Sequence, residues 1–556
     1  MTALSQRDRA FFVMRIKDVC VTALSQGDRA PLVFLKVLPF HKIPPEKIVA
    51  FAVNCRRLRA VSYAKAYAMN ASPVEHSNVP QFSRRRKHAE NRYIRERWRN
   101  FLSVDHRGYM TIEGVPVDRI VKKFGTPVYV MVEKEIRRNF QRFKKVFGQQ
   151  IKLQYAVKCN SNLQILRMAR EEGFELDCSS VGEIILGLLA DFKPRQLSYT
   201  NLYKTDQDLH FATKVGVQSI TADSVEDLEH IAATAKKLRT QVRTVIRVNP
   251  MIDIRNYSTK GNKYGIPLKQ VLEAVEIAAT SPFVDFRGFH FMGGYISSPW
   301  TLRAAARVLV KIIRSCQDKH IPIKTLSLGG GFPAAIGEQS AFPIEDLKSF
   351  PKYFKQLLER EGVTMPVQLI FEPGKSIVLN AGIGLMHVVA NKEIHHFNRM
   401  IIADGSTYNF IPDALVQTEI RYDILPASRM FSPRVHKVTV GGNTCDCWDL
   451  ITKGIMMPKL EYGDILAAMD VGAYAQVLAN NFNTIKRAPV VLIHEDGSCK
   501  QIRRRDRYSE MFAPELDVLK MADPNELERY NNLYRVNIDK IWKGAGKKNG
   551  GTKAGK

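Results

Sequence analysis

Gln154-Tyr155-Ala156-Val157-Lys158-Cys159-Asn160-Ser161-Asn162 decides how the rest of the chain is read. An apolar run, Ile151 to Val157, has the length and composition of a buried strand and ends in one lysine; a helix-like run, Leu163 to Glu172, follows. A lysine at the mouth of a buried strand can lose its proton when desolvated, and its amine then becomes the nucleophile that attachment to an aldehyde requires. Taken alone, such a lysine is a solvated strand terminus.

Further motifs repeat the arrangement. Arg287-Gly288-Phe289-His290-Phe291-Met292-Gly293-Gly294 places a histidine near the end of a short apolar run, and Leu326-Ser327-Leu328-Gly329-Gly330-Gly331-Phe332-Pro333 ends another run in three glycines. Val367-Gln368-Leu369-Ile370-Phe371-Glu372-Pro373-Gly374-Lys375 ends a third in a carboxylate; Thr444-Cys445-Asp446-Cys447-Trp448-Asp449 and Gly472-Ala473-Tyr474 come later. Glycines without a Cβ let backbone N–H groups approach a phosphate. A carboxylate can keep a pyridine nitrogen protonated, a histidine can lie on an aromatic ring, and a cysteine can relay a proton. Singly these are a turn, a loop and a packed thiol; their joint order is the signal.

In that order the motifs resemble the ornithine/diaminopimelate/arginine decarboxylase family, pyridoxal-phosphate enzymes with an alanine-racemase-like barrel. The resemblance runs from about Tyr109 to about Phe512. It implies that pyridoxal 5'-phosphate is held by Lys158, with His290 stacked on its ring, Glu372 facing the pyridine nitrogen, and Gly329, Gly330, Gly331 and Tyr474 at the phosphate. It implies Cys445 as the protonating residue, Asp446 as the acid that meets a distal substrate amine, and Asp177 and Glu183 as members of a motif near the lysine and cofactor. The chain departs from the family at three places. Lys375 stands where arginine is usual, keeping the charge and losing the bidentate fork. Gly293 stands where a serine often bonds the phosphate, and Cys447 where glycine is usual.

The organisation agrees with that fold. From Pro127 to about Leu379, apolar runs such as Gln218–Thr221, Val242–Val248, Arg287–Phe291, Leu326–Leu328 and Val367–Phe371 alternate with helical runs such as Ser224–Leu238, Leu268–Thr280 and Thr301–Asp318. Alternating βα units imply a parallel sheet, and their number fits a TIM-like (β/α)8 barrel whose C-terminal strand ends share one face. From Gly382 to about Phe512, Val/Ile/Thr-rich runs between Gly, Asn and Asp turns read as an antiparallel β domain, which by resemblance pairs with the strands near Tyr109. The expected division is a basic extension of no assigned role over 1–104, with a helical run Glu90–Phe101 at its end; strands joining the β domain over 105–133; the barrel over 134–380; the β domain over 381–515; and a final helix with a disordered basic tail over 516–556.

Net charge is +28, concentrated at the ends: the first hundred residues hold 20 Lys/Arg against 7 Asp/Glu, and the last fourteen carry five lysines and no acid. No aromatic-rich nucleic-acid motif accompanies the charge, so we read solvated ends and no nucleic-acid partner. The eight cysteines are scattered and form no zinc array, so no metal is expected and a reducing compartment is. Neither a signal peptide nor a membrane span is expected, which places the protein in the cytoplasm.

The resemblance implies a PLP-dependent carboxy-lyase, a homodimer in which the Cys445-Asp446 segment reaches the partner's active site. Tyr422-Asp423 matches ornithine decarboxylases, and Asp423 with Asp446 would suit a distal ammonium, so the expected substrate is a diamino acid such as ornithine or lysine. Arg421 could serve a distal carboxylate, which keeps diaminopimelate, with lysine as product, as the alternative. A racemase of the same barrel type would place an arginine at the pyridine nitrogen and a tyrosine as second base; Glu372 and Cys445 argue against it.

Overall fold

The structure, a computed structural model, describes residues 93–254, 257–294, 296, 298–339, 341–395, 398–412 and 422–522, together with the strands Ala10–Ile16, Val19–Ser25 and Phe34–Pro39. The chain divides into two compact units, 1–81 and 82–556. In the first, the three strands pair antiparallel in sequence order.

The second unit is built on eight parallel strands: β1 Ile151–Ala156, β2 Glu175–Cys178, β3 Leu197–Thr200, β4 Ser219–Ala222, β5 Val242–Asn249, β6 Val284–His290, β7 Thr325–Ser327 and β8 Gln368–Phe371. Each pairs with the next, and β8 returns to β1 with Phe371 opposite Leu153, closing the barrel. Residues such as Leu153, Leu176, Tyr199, Ile220 and Phe289 on these strands are buried with apolar helix residues in one core, while the polar Gln154, Ser198, Gln218, Arg243 and Gln368 line a cavity. The turns entering the helices use the residue types a helix start needs. Asn162 accepts from the Gln164 N–H, Ser180 from Glu183, Thr205 from Asp208 and Ser224 from Asp227. The helices Val225–Lys237, Leu268–Thr280 and Pro299–Asp318 lie within a residue or two of their expected positions.

A second sheet runs in the order Leu450–Met457, His436–Gly441, Asn398–Ala403, Gly382–His395, Val128–Val132, Val490–Ile493, Cys499–Arg503, with Ile465–Met469 also paired to Gly382–His395. Most pairings are antiparallel, but Asn398–Ala403 with His436–Gly441 and Val128–Val132 with Val490–Ile493 are parallel. The strand brought in from before the barrel is Val128–Val132, not the segment near Tyr109. Met110–Ile112 instead forms a separate three-stranded sheet with Leu102–Val104 and Val115–Pro116.

Within the helix expected over Glu90–Phe101, the described part begins with Tyr93 in helical conformation and continues as a 3-10 turn, Glu96–Trp98, before the strand from Leu102. Trp98 is fully buried beside Phe101, Met110 and Val128, while its indole N–H donates to Asp470 Oδ1 at 2.8 Å. Trp98→Phe keeps the ring packing and removes that donor from a fully buried carboxylate. We expect a cost of about 1–3 kcal/mol, read as an earlier urea midpoint.

Candidate active site

Lys158 lies on the 3-10 turn Val157–Cys159 that follows β1 directly. Register sets its partner: Ala156 is opposite Asp177 on β2, and Lys158 Nζ donates to Asp177 Oδ2 at 2.8 Å. The sequence reading expects burial to strip the proton from this amine. Burial does act in that direction, but the charges of Asp177 and Glu372 outweigh it and hold Lys158 above the usual lysine value. The amine rests as an ammonium paired to Asp177.

His290 ends β6, opposite Ser327, the last residue of β7; Glu372 follows β8. All three are buried. Ser327 Oγ–H donates to Glu372 Oε1 at 2.5 Å, His290 Nε2 lies 3.2 Å from Glu372 Oε2, and the Gly329 N–H donates to Ser327 Oγ at 3.1 Å. Burial alone would raise the Glu372 carboxyl, but His290, Lys158 and Ser327 hold it below the usual carboxylate range. Ser327 escaped the sequence reading; the available signal was a polar residue closing an apolar strand two positions before the glycines.

The glycine loop is packed so closely that side chains are excluded. Gly331 has φ +84°, and a Cβ there would sit 1.8 Å from Gly294 O; a Cβ on Gly330 would sit 2.5 Å from Glu372 O. A Cβ on Gly293 would fall 1.7 Å from the Tyr257 hydroxyl. That hydroxyl is buried and has no hydrogen-bond partner among the described residues, so Tyr257 sets an O–H beside a position whose own side chain is absent. Lys375 opens the short helix after β8. Tyr474, in the left-handed region at φ 59°, donates its N–H to Cys159 O at 2.9 Å, and Asn160 Nδ2 donates to Gly472 O at 2.9 Å. These bonds dock Gly472–Tyr474 against the lysine turn.

Glu183 Oε2 accepts from the Ser179 N–H at 2.5 Å. Burial raises its carboxyl from 4.5 to about 7, against the pull of that N–H and of Lys158. A folded-state value above the unfolded one gives a contribution present in full below about pH 4.5 and lost as pH rises through about 7. The wild-type thermal midpoint should therefore fall between pH 5 and pH 7 by more than that of Glu183→Gln.

Asp423 and Asp446 are held elsewhere. Arg95 forks both oxygens of Asp423, Nε to Oδ2 at 2.6 Å and Nη2 to Oδ1 at 2.8 Å. Asp446 accepts from the Tyr408 hydroxyl. Cys445 is exposed, with its N–H donating to Asn483 Oδ1 at 3.1 Å and its Sγ 3.3 Å from Asn483 Nδ2. Arg421 lies outside the described residues. Among the described residues no helix is long and apolar enough to cross a membrane.

The site fits pyridoxal phosphate on its own geometry. It offers a lysine at the barrel mouth, an ionised buried carboxylate across from it, a glycine cradle with no room for side chains, and buried Asp177 Oδ1, His290 Nδ1 and Tyr257 hydroxyl atoms without partners among the described residues. Fold and site together define a barrel-plus-β-domain enzyme of the alanine-racemase-like, fold-type III class. Residues 133–379 match the family model described as the pyridoxal-dependent decarboxylase, pyridoxal binding domain. These residues form a pyridoxal-dependent decarboxylase domain; the chain is a pyridoxal-phosphate-dependent decarboxylase and is similar to the ornithine/diaminopimelate/arginine decarboxylase family. It is 28% identical over 425 residues to diaminopimelate decarboxylase of Staphylococcus aureus (strain COL), covering 74% of this chain and 98% of that one. It is 29% identical over 413 residues to the Archaeoglobus fulgidus diaminopimelate decarboxylase, 73% and 96% covered. The crystal structure of M. jannaschii diaminopimelate decarboxylase in complex with L-lysine superposes with a TM-score of 0.69 at 25% identity, over 77% of this chain and 99% of that one. A lysine/ornithine decarboxylase from Vibrio vulnificus complexed with putrescine, 23% identical with a TM-score of 0.59 over 68% of this chain and 96% of that one, shares the fold.

Proposed function

We propose that this enzyme removes the α-carboxylate of a diamino acid as carbon dioxide, with meso-diaminopimelate as substrate and lysine as product. The single observation behind the chemistry is the convergence of Lys158, Asp177, His290 and the Ser327–Glu372 pair on one barrel face. Between the two substrate readings, the naming of the relatives as diaminopimelate decarboxylases favours diaminopimelate over ornithine or lysine, and the capture of Asp423 by arginine agrees, since that acid is not free for a distal ammonium.

When bound, pyridoxal phosphate supplies the electron sink for the pair left on Cα as carbon dioxide departs. Lys158 would hold its aldehyde carbon, with Asp177 orienting Nζ. Glu372, kept ionised by Ser327 and His290, would keep the ring nitrogen protonated, and His290 would lie against the ring. Gly293, Gly329, Gly330, Gly331, Lys375 and Tyr474 would receive the phosphate. Cys445, exposed on the β domain, would return the proton to Cα in the site of a second copy, making a cytoplasmic homodimer the working unit, with Asp446 beside the distal amine. In this reading residues 134–380 form the cofactor-binding domain and 381–515, with the strands of 105–133, the β domain.

The test is carbon dioxide release by PLP-loaded protein from meso-diaminopimelate, L- and D-ornithine, L- and D-lysine and arginine. We expect the highest kcat/KM on meso-diaminopimelate. Release from none of them would overturn the reading.

A further inference from the structure

Tyr257 reaches the glycine cradle from a third loop. β5 ends at Asn249, and beyond it Asp253–Ile254 pairs antiparallel with Tyr257–Ser258. Thr259 ties this hairpin to the barrel. Its Oγ1 accepts from the Ile252 N–H at 2.9 Å, its N–H donates to Ile252 O at 2.9 Å, and its carbonyl accepts from Asn249 Nδ2 at 2.9 Å. The last residue of a barrel strand thus fixes the hairpin that presents the tyrosine.

The hydroxyl ends where a side chain is missing. A Cβ on Gly293 would lie 1.7 Å from the Tyr257 oxygen and 2.5 Å from Phe291 Cζ. The oxygen fills the volume that a side chain at 293 would take, so the two exclude each other. This place is part of the site already described. The turn after β6 packs on the glycine loop after β7: a Cβ on Gly329 would sit 2.3 Å from Phe291 O, and one on Gly331 would sit 1.8 Å from Gly294 O. The Glu372 N–H donates to Gly329 O at 2.9 Å, which joins both loops to the buried carboxylate. Tyr257 is 9% exposed, and its hydroxyl is buried without a hydrogen-bond partner among the described residues. A buried O–H left without an acceptor costs stability, and an anion at the cradle supplies that acceptor. Burial pushes the Tyr257 hydroxyl up to about 12, so at neutral pH it keeps the proton it would donate.

We propose that Tyr257 is a phosphate ligand of the pyridoxal cofactor: its hydroxyl donates to a phosphate oxygen from the place Gly293 leaves open, so a residue on the loop after β5 replaces a side chain absent after β6. The inference rests on the pyridoxal-phosphate reading of the site and adds to it a binding residue that lies outside the motifs legible in the sequence.

The test compares cofactor with and without its phosphate. Full-length wild type and Tyr257→Phe, freed of cofactor, are titrated with pyridoxal 5'-phosphate and with pyridoxal, followed by visible absorbance. Attachment to Lys158 is common to both compounds, so the ratio of the two Kd values isolates the phosphate contact. The preference for the phosphorylated form should fall by on the order of tenfold or more in Tyr257→Phe, the scale of one hydrogen bond to a charged acceptor, while pyridoxal binds as it does to wild type. The phosphorus resonance of the bound cofactor should also shift. Without cofactor, the thermal midpoint of Tyr257→Phe should be no lower than that of wild type, because the hydroxyl has no described protein partner to lose. Inorganic phosphate should raise the midpoint of wild type more than that of the variant. An unchanged preference in Tyr257→Phe would overturn the proposal. So would a cofactor-free variant that melts well below wild type or fails to fold, since the hydroxyl would then be a structural group. A wild type that takes up neither compound would instead overturn the pyridoxal-phosphate reading, and the midpoints in inorganic phosphate would still test the hydroxyl.

Discussion

Carbon dioxide release by Lys158→Ala should fall by at least on the order of 10³-fold, because the residue proposed to attach the cofactor also presents it to substrate. The fold should survive the change. Lys158 has a side chain 37% exposed at the barrel mouth, and its one described hydrogen bond goes to Asp177. The consequence is local: Asp177, 1% exposed and already with Oδ1 unpartnered among the described residues, loses the donor to Oδ2, costing about 1–3 kcal/mol. The ammonium that Asp177 and Glu372 stabilise in the wild type indicates that covalent attachment has to displace a proton first, so loading of the wild type with pyridoxal phosphate should speed up as pH rises. Two measurements check the prediction. After dialysis the wild type should keep its visible absorbance and the variant should lose it, and turnover of the variant should drop while its thermal midpoint moves by only a few degrees. A variant that retains the chromophore through dialysis and decarboxylates at a wild-type rate would remove Lys158 from its assigned role.

The barrel was legible because its elements carry their own signals. Strands such as Ile151–Ala156 and Gln368–Phe371 are short apolar runs, and their ends are marked by residues that a packed strand does not use, a lysine, a histidine, three glycines and a glutamate. What local pattern cannot encode is the partner across the fold. The sequence shows that Lys158 ends a buried strand but not that register puts Asp177 beside it, whose charge keeps the amine protonated. Asp423 reads as a free acid until a guanidinium 328 residues away takes both its oxygens. In the β domain, strand identity was visible in the Val/Ile/Thr runs, but pairing was not. Val128–Val132 joins that sheet and is parallel to Val490–Ile493, while the strand near Tyr109 pairs elsewhere. Residues 93–98 had helix-like composition, and their conformation is set by what Trp98, Arg95 and Arg97 reach in the body. The final helix expected over Asn525–Trp542 lies outside the described residues.

Glu372→Gln should lower kcat for decarboxylation by on the order of 10²–10³-fold, the scale seen when one preorganised electrostatic partner of a developing charge is removed. The substitution keeps volume and shape in a side chain that is 4% exposed, so packing is preserved and the charge alone is lost. That charge is maintained at some expense to the fold: burial works against it, and it persists because Ser327 donates at 2.5 Å and His290 lies 3.2 Å away. A neutral amide can still accept from Ser327 but cannot balance a positive ring nitrogen, so the ring nitrogen would shed its proton and accept electrons poorly. The loss should appear in kcat with KM little changed, since the far end of the substrate meets other groups. Glu372→Asp, which retains the charge at a shorter reach, should recover part of the rate, and Ser327→Ala should fall between wild type and Glu372→Gln. Steady-state carbon dioxide release at matched cofactor content measures all three. A Glu372→Gln enzyme within threefold of wild type, cofactor-loaded and folded, would mean that the electrons left by the departing carboxylate are stabilised without this carboxylate, and the pairing of Lys158 with Glu372 across one cofactor would have to be given up.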